Sequence, residues 1–451
     1  MSAQPRQIHL NAFLMHVGHH EAAWRHPATN PENDSVDHYV GLAQLAERGK
    51  LDSIFLADGL ALWNNVRYNF SGRFEPLTLL SALAMATSRI GLIATVSTTY
   101  NEPFHVARKF ASVDHLSRGR AGWNIVTSAQ EGEARNFSRE KHLDHHSRYQ
   151  RAAEFLDVTR ALWDSWQDDA LVYDRNSGVY ADTDLIRPVN HIGQHFSVAG
   201  PLNVPRSPQG HPLLVQAGSS EDGREFAARY AEAIFTAQQT LADGQAFYAD
   251  VKNRAGHHGR SPEEIKILPG IAPILGGTEA EAKRREAELN DLIVPEYGLS
   301  QLSKMVGIDL FDHPLDGPLP ADLPTVDEIN GNKSRFALVI ELARRERLTI
   351  RQLLTRLAAG RGHRVFTGTP EQVADQLELW FTSGAADGFN VMPPYLPGAL
   401  TDFVDQVVPI LQQRGLFRRE YEGRTLRGHY GLARPSARPV AGTAVRAGVP
   451  R

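Results

Sequence analysis

The chain has 451 residues, 42% apolar and 22% charged, with a net charge of −4, a composition that suits a globular protein with a sizeable core. No long run of Lys or Arg appears, which argues against a nucleic-acid face or an anionic-membrane patch. There is no cysteine, which excludes disulfides, thiolate nucleophiles and Cys-ligated metal clusters. Met1–Gln7 has no apolar signal core behind it, and runs such as Ile90–Val96 are far too short to span a bilayer, so a cytoplasmic protein is expected.

Strand-like and helix-like segments alternate along the chain. Ile8–Met15 predicts a first strand and Tyr39–Lys50 a helix. Leu51–Ala57 predicts a second strand ending at Asp58-Gly59, followed by a helix over Leu77–Thr87. Ile90–Val96 predicts a third strand running into Ser97-Thr-Thr-Tyr100, then a helix over His105–Leu116. Ala121–Val126 predicts a fourth strand. The clearest helix is Arg148–Trp166, where Phe155, Val158, Thr159, Leu162, Trp163 and Trp166 recur at helical spacing. Strands follow at Leu213–Ala217, Ala233–Ala237 and Ile265–Leu275, with helices over Gly223–Tyr230, Gly244–Ala255 and Glu279–Asp291. Thr369-Pro-Glu-Gln372 matches a helix start, with a Thr cap and Pro at the first position. An eighth strand is expected at Gly388–Met392 and a last helix over Leu400–Gln413. Continuously apolar strands in eight β/α repeats predict a (β/α)8 TIM barrel, with an open doubly wound sheet as the runner-up.

Residues 1–432 are read as one domain, with two insertions. Residues 168–212 are proline-rich. Residues 294–364 hold a Pro/Asp/Gly-rich loop, Asp309–Pro324, and one amphipathic helix around Lys333–Arg345. On the βα-loop face they are candidate lids or substrate walls, and peripheral packing or a dimer contact is the equal alternative. The tail 433–451 has no apolar period and is expected to be disordered or draped on a neighbour.

The candidate functional residues sit at strand ends and helix starts. Asp58 follows strand two and either faces a site or caps a loop. Thr95, Ser97 and Thr99 share one face of strand three, where small hydroxyls let a flat ring approach. Asn124 is an amide within an apolar strand and needs polar partners. His142, His145, His146 and Tyr149 have helical spacing. A metal pair is one reading, but no HExxH pattern or evident third ligand accompanies them, and a ligand-lining His and Tyr is preferred. Gln216-Ala-Gly-Ser-Ser-Glu-Asp-Gly223 joins a strand to a helix. There Ser219 and Ser220 offer hydroxyls beside free backbone N–H groups, either as a phosphate cradle or as a simple cap. Glu221 and Asp222 must point away if the cradle is real, and Arg224 is placed to neutralise a phosphate. Neither a GxSxG elbow nor a Walker loop is present.

Several segments together resemble the nitrilotriacetate/dibenzothiophene-sulfone/long-chain alkane monooxygenase branch of the bacterial luciferase-like flavin enzymes. They are Ile8–Phe13, Trp24–Pro27, Phe55–Asp58, Ser97–Tyr100, Asp114–Arg120, Gly122–Ser128, Gln216–Ser220 and Pro409–Phe417. The resemblance spans roughly residues 6–430 and implies a barrel that binds FMN, supplied reduced (FMNH2) by a separate NAD(P)H:flavin reductase. It further implies a flavin C4a-peroxide that oxygenates a small organic substrate with O2, with C–S or C–N cleavage in some members, and a homodimer or tetramer. Sulfones, amino-polycarboxylates, alkanes and antibiotic precursors are substrates in this branch. Carried over by residue, Asp58, Thr95, His145 and Tyr149 match the flavin-ring and ribityl contacts, Ser219 and Ser220 the phosphate contacts, and Asn124 a further ring contact. His145 is the candidate catalytic donor. Some members have a Cys near the end of strand one; here the region reads Phe13-Leu-Met-His16, and His16 is the nearest polar group toward the substrate. Arg67 and Arg73 are loop cations available to an anionic substrate. The alternatives are hydride transfer with a deazaflavin, a flavin-binding protein without turnover, and a metal hydrolase.

Overall fold

The computed structural model describes residues 6–32, 35–62, 66–69 and 74–437. Eight parallel strands close on themselves: β1 (His9–Leu14), β2 (Ser53–Leu56), β3 (Gly91–Ser97), β4 (Ala121–Val126), β5 (Leu213–Gln216), β6 (Ala233–Thr236), β7 (Lys266–Leu275) and β8 (Gly388–Val391). The order runs β1 to β7 around the ring, and β8 pairs with both β7 and β1. This is the expected (β/α)8 barrel. Its strands are buried on both faces because helices cover the outside and side chains fill the inside.

The filling follows strand alternation. Phe13, Phe55, Ile93, Leu213, Val215, Phe235 and Leu268 meet in one inner cluster, which also takes Leu426 and Tyr430 from the end of the chain. The short helix Leu426–His429 lies under the N-terminal ends of the strands. Gly91 and Gly122 make room for it, since a Cβ on either would stand 2.2 Å and 3.0 Å from the Leu426 side chain. The Tyr430 hydroxyl donates to Asn11 Oδ1 at 2.8 Å. Asp52 accepts from Leu10 N–H at 2.7 Å, His9 Nδ1 at 3.0 Å and Arg418 at 2.5 Å. The barrel floor is therefore sealed by residues 416–432.

One wall is rigid for a clear reason. Trp123 of β4 is fully buried between Phe110, Phe155 and Trp163, and its indole N–H donates to Val96 O at 3.0 Å. Phe155 and Trp163 belong to the helix His145–Trp163, so β4 and that helix are locked together. The helix starts at His145, three residues before the expected Arg148, because Asp144 caps it through Ser147 N–H at 2.9 Å.

The insertions hold more structure than their composition announced. The first carries two hairpins, Leu171–Asp174 with Val179–Ala181 and His191–Ile192 with Ser197–Val198. The second contains three helices, Pro295–Val306, Lys333–Glu346 and Ile350–Ala358, around a core of their own, where one helix was expected. A ninth strand, Arg364–Gly368, pairs with the far end of β7. The last helix is interrupted: Pro409 has no N–H to donate, and the preceding turn, Phe403–Val407, is a wide π turn. Arg434 reaches Asp168 at 2.5 Å, so the start of the tail lies against the first insertion. The rest of the tail, residues 438–451, and Arg73 lie outside the described residues.

Candidate active site

The C-terminal ends of the strands open into two adjoining cavities. The first, about 260 Å³, is bounded by Asp58, Val126–Gln130, His145, Arg148, Tyr149, Gln216–Gly218, Ser220 and the insertion residues Gly331–Ser334. The second, about 710 Å³, shares Ala217, Asn332 and Ser334 with it and continues over Ser219, Phe235–Gln239, Arg335 and His363. A third hollow, of about 220 Å³, lies at the opposite end beside His9 and Arg418, away from the strand ends that carry the candidate residues.

Three helices begin at the first cavity. His145–Trp163 starts after Asp144, Glu221–Tyr230 after Ser220, and Lys333–Glu346 after Asn332. Each presents unpaired backbone N–H groups and the positive end of its dipole, so the cavity favours an anionic group. Gly218 keeps the turn tight: a Cβ there would stand 2.3 Å from Gln216 Nε2 and 2.6 Å from the Tyr149 hydroxyl. Ser220 Oγ caps its helix through Gly223 N–H at 3.2 Å and lies 3.3 Å from His145 Nε2. Ser219 Oγ turns the other way, to Thr236 Oγ1 at 3.0 Å, so the two serines face different cavities.

Asp222 splits from Glu221. Glu221 points outward to Arg224 and Arg254, as a phosphate cradle requires. Asp222 instead turns toward the site, meeting His145 Nδ1 at 2.9 Å and His146 Nδ1 at 3.1 Å, which corrects the expectation that both carboxylates point away. Arg224 is held by Asp250 at 2.7 Å and by Glu221 at 2.7 Å, which corrects its expected role as the phosphate counter-charge. Arg148 and Lys333, which sequence patterning did not single out, line that cavity. Arg148 is buried, donates to Leu143 O, and reaches Asn330 Oδ1 at 3.2 Å and Asn330 O at 2.9 Å. It thereby ties the second insertion over the strand ends.

Thr95 and Asn124 lie one layer deeper, on the inward face, with Asn124 Nδ2 donating to Thr95 Oγ1 at 2.8 Å. Asn124 Oδ1 and Gln216 Oε1 are buried without hydrogen-bond partners. The hydroxyls of Ser97 and Thr99 go to Ser128 Oγ at 2.9 Å and Thr127 O at 2.7 Å, joining the ends of β3 and β4. The His cluster fans apart. His142 meets the Tyr100 hydroxyl at 2.5 Å, His146 is solvent-exposed, and only His145 faces the cavity. Among the described residues, no group of three or more His, Cys, Asp or Glu is placed to hold a metal ion. His16 is buried against His38, with ring centroids 5.9 Å apart, and lines neither cavity.

Burial pushes the Asp58 carboxyl up to about 6; Gly59 N–H opposes this, and Glu75 and Glu133 add to it. Burial lowers His145 below the ordinary imidazole range, with Asp222 opposing, so the ring is held toward its neutral form. Burial also raises the Tyr149 phenol, with the Ser220 hydrogen bond opposing. The site therefore combines a neutral His145 and Tyr149 with the Asp58 carboxylate, beside the cations Arg148 and Lys333.

A family model for luciferase-like monooxygenases matches residues 13–387. The chain is 54% identical to N-acetyl-S-(2-succino)cysteine monooxygenase of Bacillus subtilis (strain 168), covering 96% of this chain and 99% of that protein. It is 51% identical to nitrilotriacetate monooxygenase component A of Aminobacter aminovorans, covering 95% and 97%. Among solved structures, riboflavin lyase with modified FMN superposes with a TM-score of 0.85 at 31% identity, covering 96% of this chain and 98% of that one. The closed barrel, the strand-end site and these similarities agree: the chain belongs to the luciferase-like monooxygenase family and is an FMN-dependent oxygenase component of the two-component kind.

Proposed function

We propose that FMN is held by Asp58, Thr95, Asn124, His145, Tyr149, Ser219 and Ser220, with its phosphate where the three helices begin. The carrying observation is that convergence at Gly218, where a side chain would fill the cradle. The partnerless oxygens of Asn124 and Gln216 fit the same group, since a flavin edge bears N–H donors. When bound and reduced, FMN supplies the oxygen-activating chemistry. The chain's part is to hold the ring, keep His145 neutral and oriented, and shut water out with the insertion latched by Arg148.

A flavin reductase and an organic substrate are the partners implied by a two-component system. We further propose a homo-oligomer. Tyr173 and Tyr180 of the first insertion, with ring centroids 5.0 Å apart, are 57% and 67% exposed, an apolar pair suited to a second copy. Among the described residues no helix is long and apolar enough to cross a membrane, and the cytoplasm is the proposed location. The test is product formation from 18O2 in a substrate panel. Incorporation is expected only when a flavin reductase supplies reduced FMN; full turnover with NADH and no reductase would count against it.

A further inference from the structure

The larger cavity carries an unbalanced charge at its inner end. At its outer edge, cations and carboxylates are matched: Arg224 pairs with Asp250 at 2.7 Å, and Arg345 lies 3.4 Å from Glu341 and 3.8 Å from Asp243. Deeper in, Arg335 has no carboxylate partner among the described residues. Its Nη2 donates to His363 Nε2 at 3.1 Å, which requires an unprotonated nitrogen on that ring. Its Nη1 is shut off from solvent and has no hydrogen-bond partner. His363 is stacked on Phe235, centroids 4.8 Å apart and planes within 4°, so the guanidinium is fixed beside the barrel's inner aromatic cluster.

The neighbours do not supply the missing negative charge. Arg361 is close enough to depress Arg335, which burial first and Arg361 second bring down to about 10. Glu21 lies near Arg361 and burial raises it to about 7, with Arg361 opposing, while the one charge acting on Arg335 is that of Arg361. Burial lowers His19 to about 3 and His20 to about 4, so both are uncharged at neutral pH. Arg335 is half-buried at the pocket wall. A guanidinium held there without a carboxylate partner attracts an anionic ligand group through its charge.

We infer that the larger cavity is the substrate pocket and that Arg335 binds a carboxylate of the substrate, which makes the substrate class small organic acids rather than alkanes or neutral sulfones. This rests on the smaller cavity being the flavin site. Arg335 is a specificity-determining residue, with Arg361 behind it reinforcing the positive potential.

The experiment is calorimetric titration of the FMN-loaded protein with N-acetyl-S-(2-succino)cysteine, nitrilotriacetate and tricarballylate, each against its trimethyl ester, and with dibenzothiophene sulfone. At least one acid is expected to bind about a hundredfold tighter than its ester and tighter than the sulfone. Arg335→Gln is expected to lose about tenfold or more of that affinity, and Arg335→Lys less, with FMN affinity unchanged in both. If Arg335→Gln melts early, Arg335→Lys and Arg361→Gln carry the comparison. Equal binding of acids and esters, tighter binding of the sulfone, or acid affinity insensitive to position 335 would overturn the inference. If FMN fails to bind the wild type, the flavin reading fails by itself. The acids are then titrated onto the bare protein, where dependence on Arg335 would still sustain the carboxylate site and its loss would remove it.

Discussion

Asp222 accepts from His145 Nδ1 at 2.9 Å, which turns the other ring nitrogen toward Ser220 Oγ at 3.3 Å. A helix-start carboxylate that would repel a bound phosphate is thus engaged by two histidines, and its charge fixes the tautomer of the one that faces the cavity.

Asp222→Asn should weaken FMN binding by about tenfold or more, the scale of a charge-assisted hydrogen bond. The amide no longer enforces Nδ1–H on His145. Quenching of flavin fluorescence on titration measures this. His145→Ala should lose at least as much, and the double variant little more than either single one, because the two residues act as a unit. Additive losses would show that they act separately.

Asp58 should make FMN binding and stability respond oppositely to pH. Its folded pKa of about 6 lies above the ordinary 3.8. The flavin-free fold therefore carries a penalty that is absent below about 3.8, grows as pH rises and is complete above about 6. Asp58→Asn should raise the Tm of the flavin-free protein at pH 8 and leave it unchanged at pH 4. The same change should weaken FMN binding at pH 8. Thermal scans at the two pH values, with and without FMN, decide it.

Asp52 works with the other sign. Burial alone would raise it, but Arg418, His9 and the Leu10 N–H together bring it down to about 2. Its stabilisation is fully present above about 3.8 and is lost as pH falls through about 2. Asp52→Asn leaves Arg418 facing a neutral amide and should cost about 3 kcal/mol at pH 7. Urea unfolding measures the loss, which should shrink toward zero in strong acid.

Arg148 should behave as a latch. Arg148→Ala removes the contacts to Asn330 while leaving the helix, whose core residues Phe155 and Trp163 pack elsewhere. The expected result is faster limited proteolysis within residues 309–332, with a Tm change of only a few degrees. Unchanged cleavage would show that the insertion's own core holds it in place.

The barrel was legible because its signals are local and repeated. Each strand from Ile8 to Leu275 is a largely apolar run, interrupted by single polar residues such as Asn11 and Asn124. The Gly218 turn and the Ser220-capped helix start were legible for the same reason, since both are written in adjacent residues. What escaped is non-local or lacks a period. Arg148 meets Asn330 across 182 positions, and nothing in either neighbourhood predicts the pairing. The strand Arg364–Gly368 is short and begins with a charge, so it resembles the loop before it. Arg335 sits at the start of an amphipathic helix, where an arginine ordinarily faces water. Only the fold shows that His363 and Gly362 enclose it.

The floor of the barrel also orders events during synthesis. Leu426 and Tyr430 are made after all eight strands, yet both join the inner cluster and Leu426 fills the space left at Gly91 and Gly122. Until the ribosome has released them, the ring has an open lower end with apolar side chains facing water. A chain cut near residue 415 keeps every strand and every candidate cofactor residue but lacks its stopper, and should aggregate rather than assemble. Fusions joined after residue 437 should be tolerated, because by then the floor is in place.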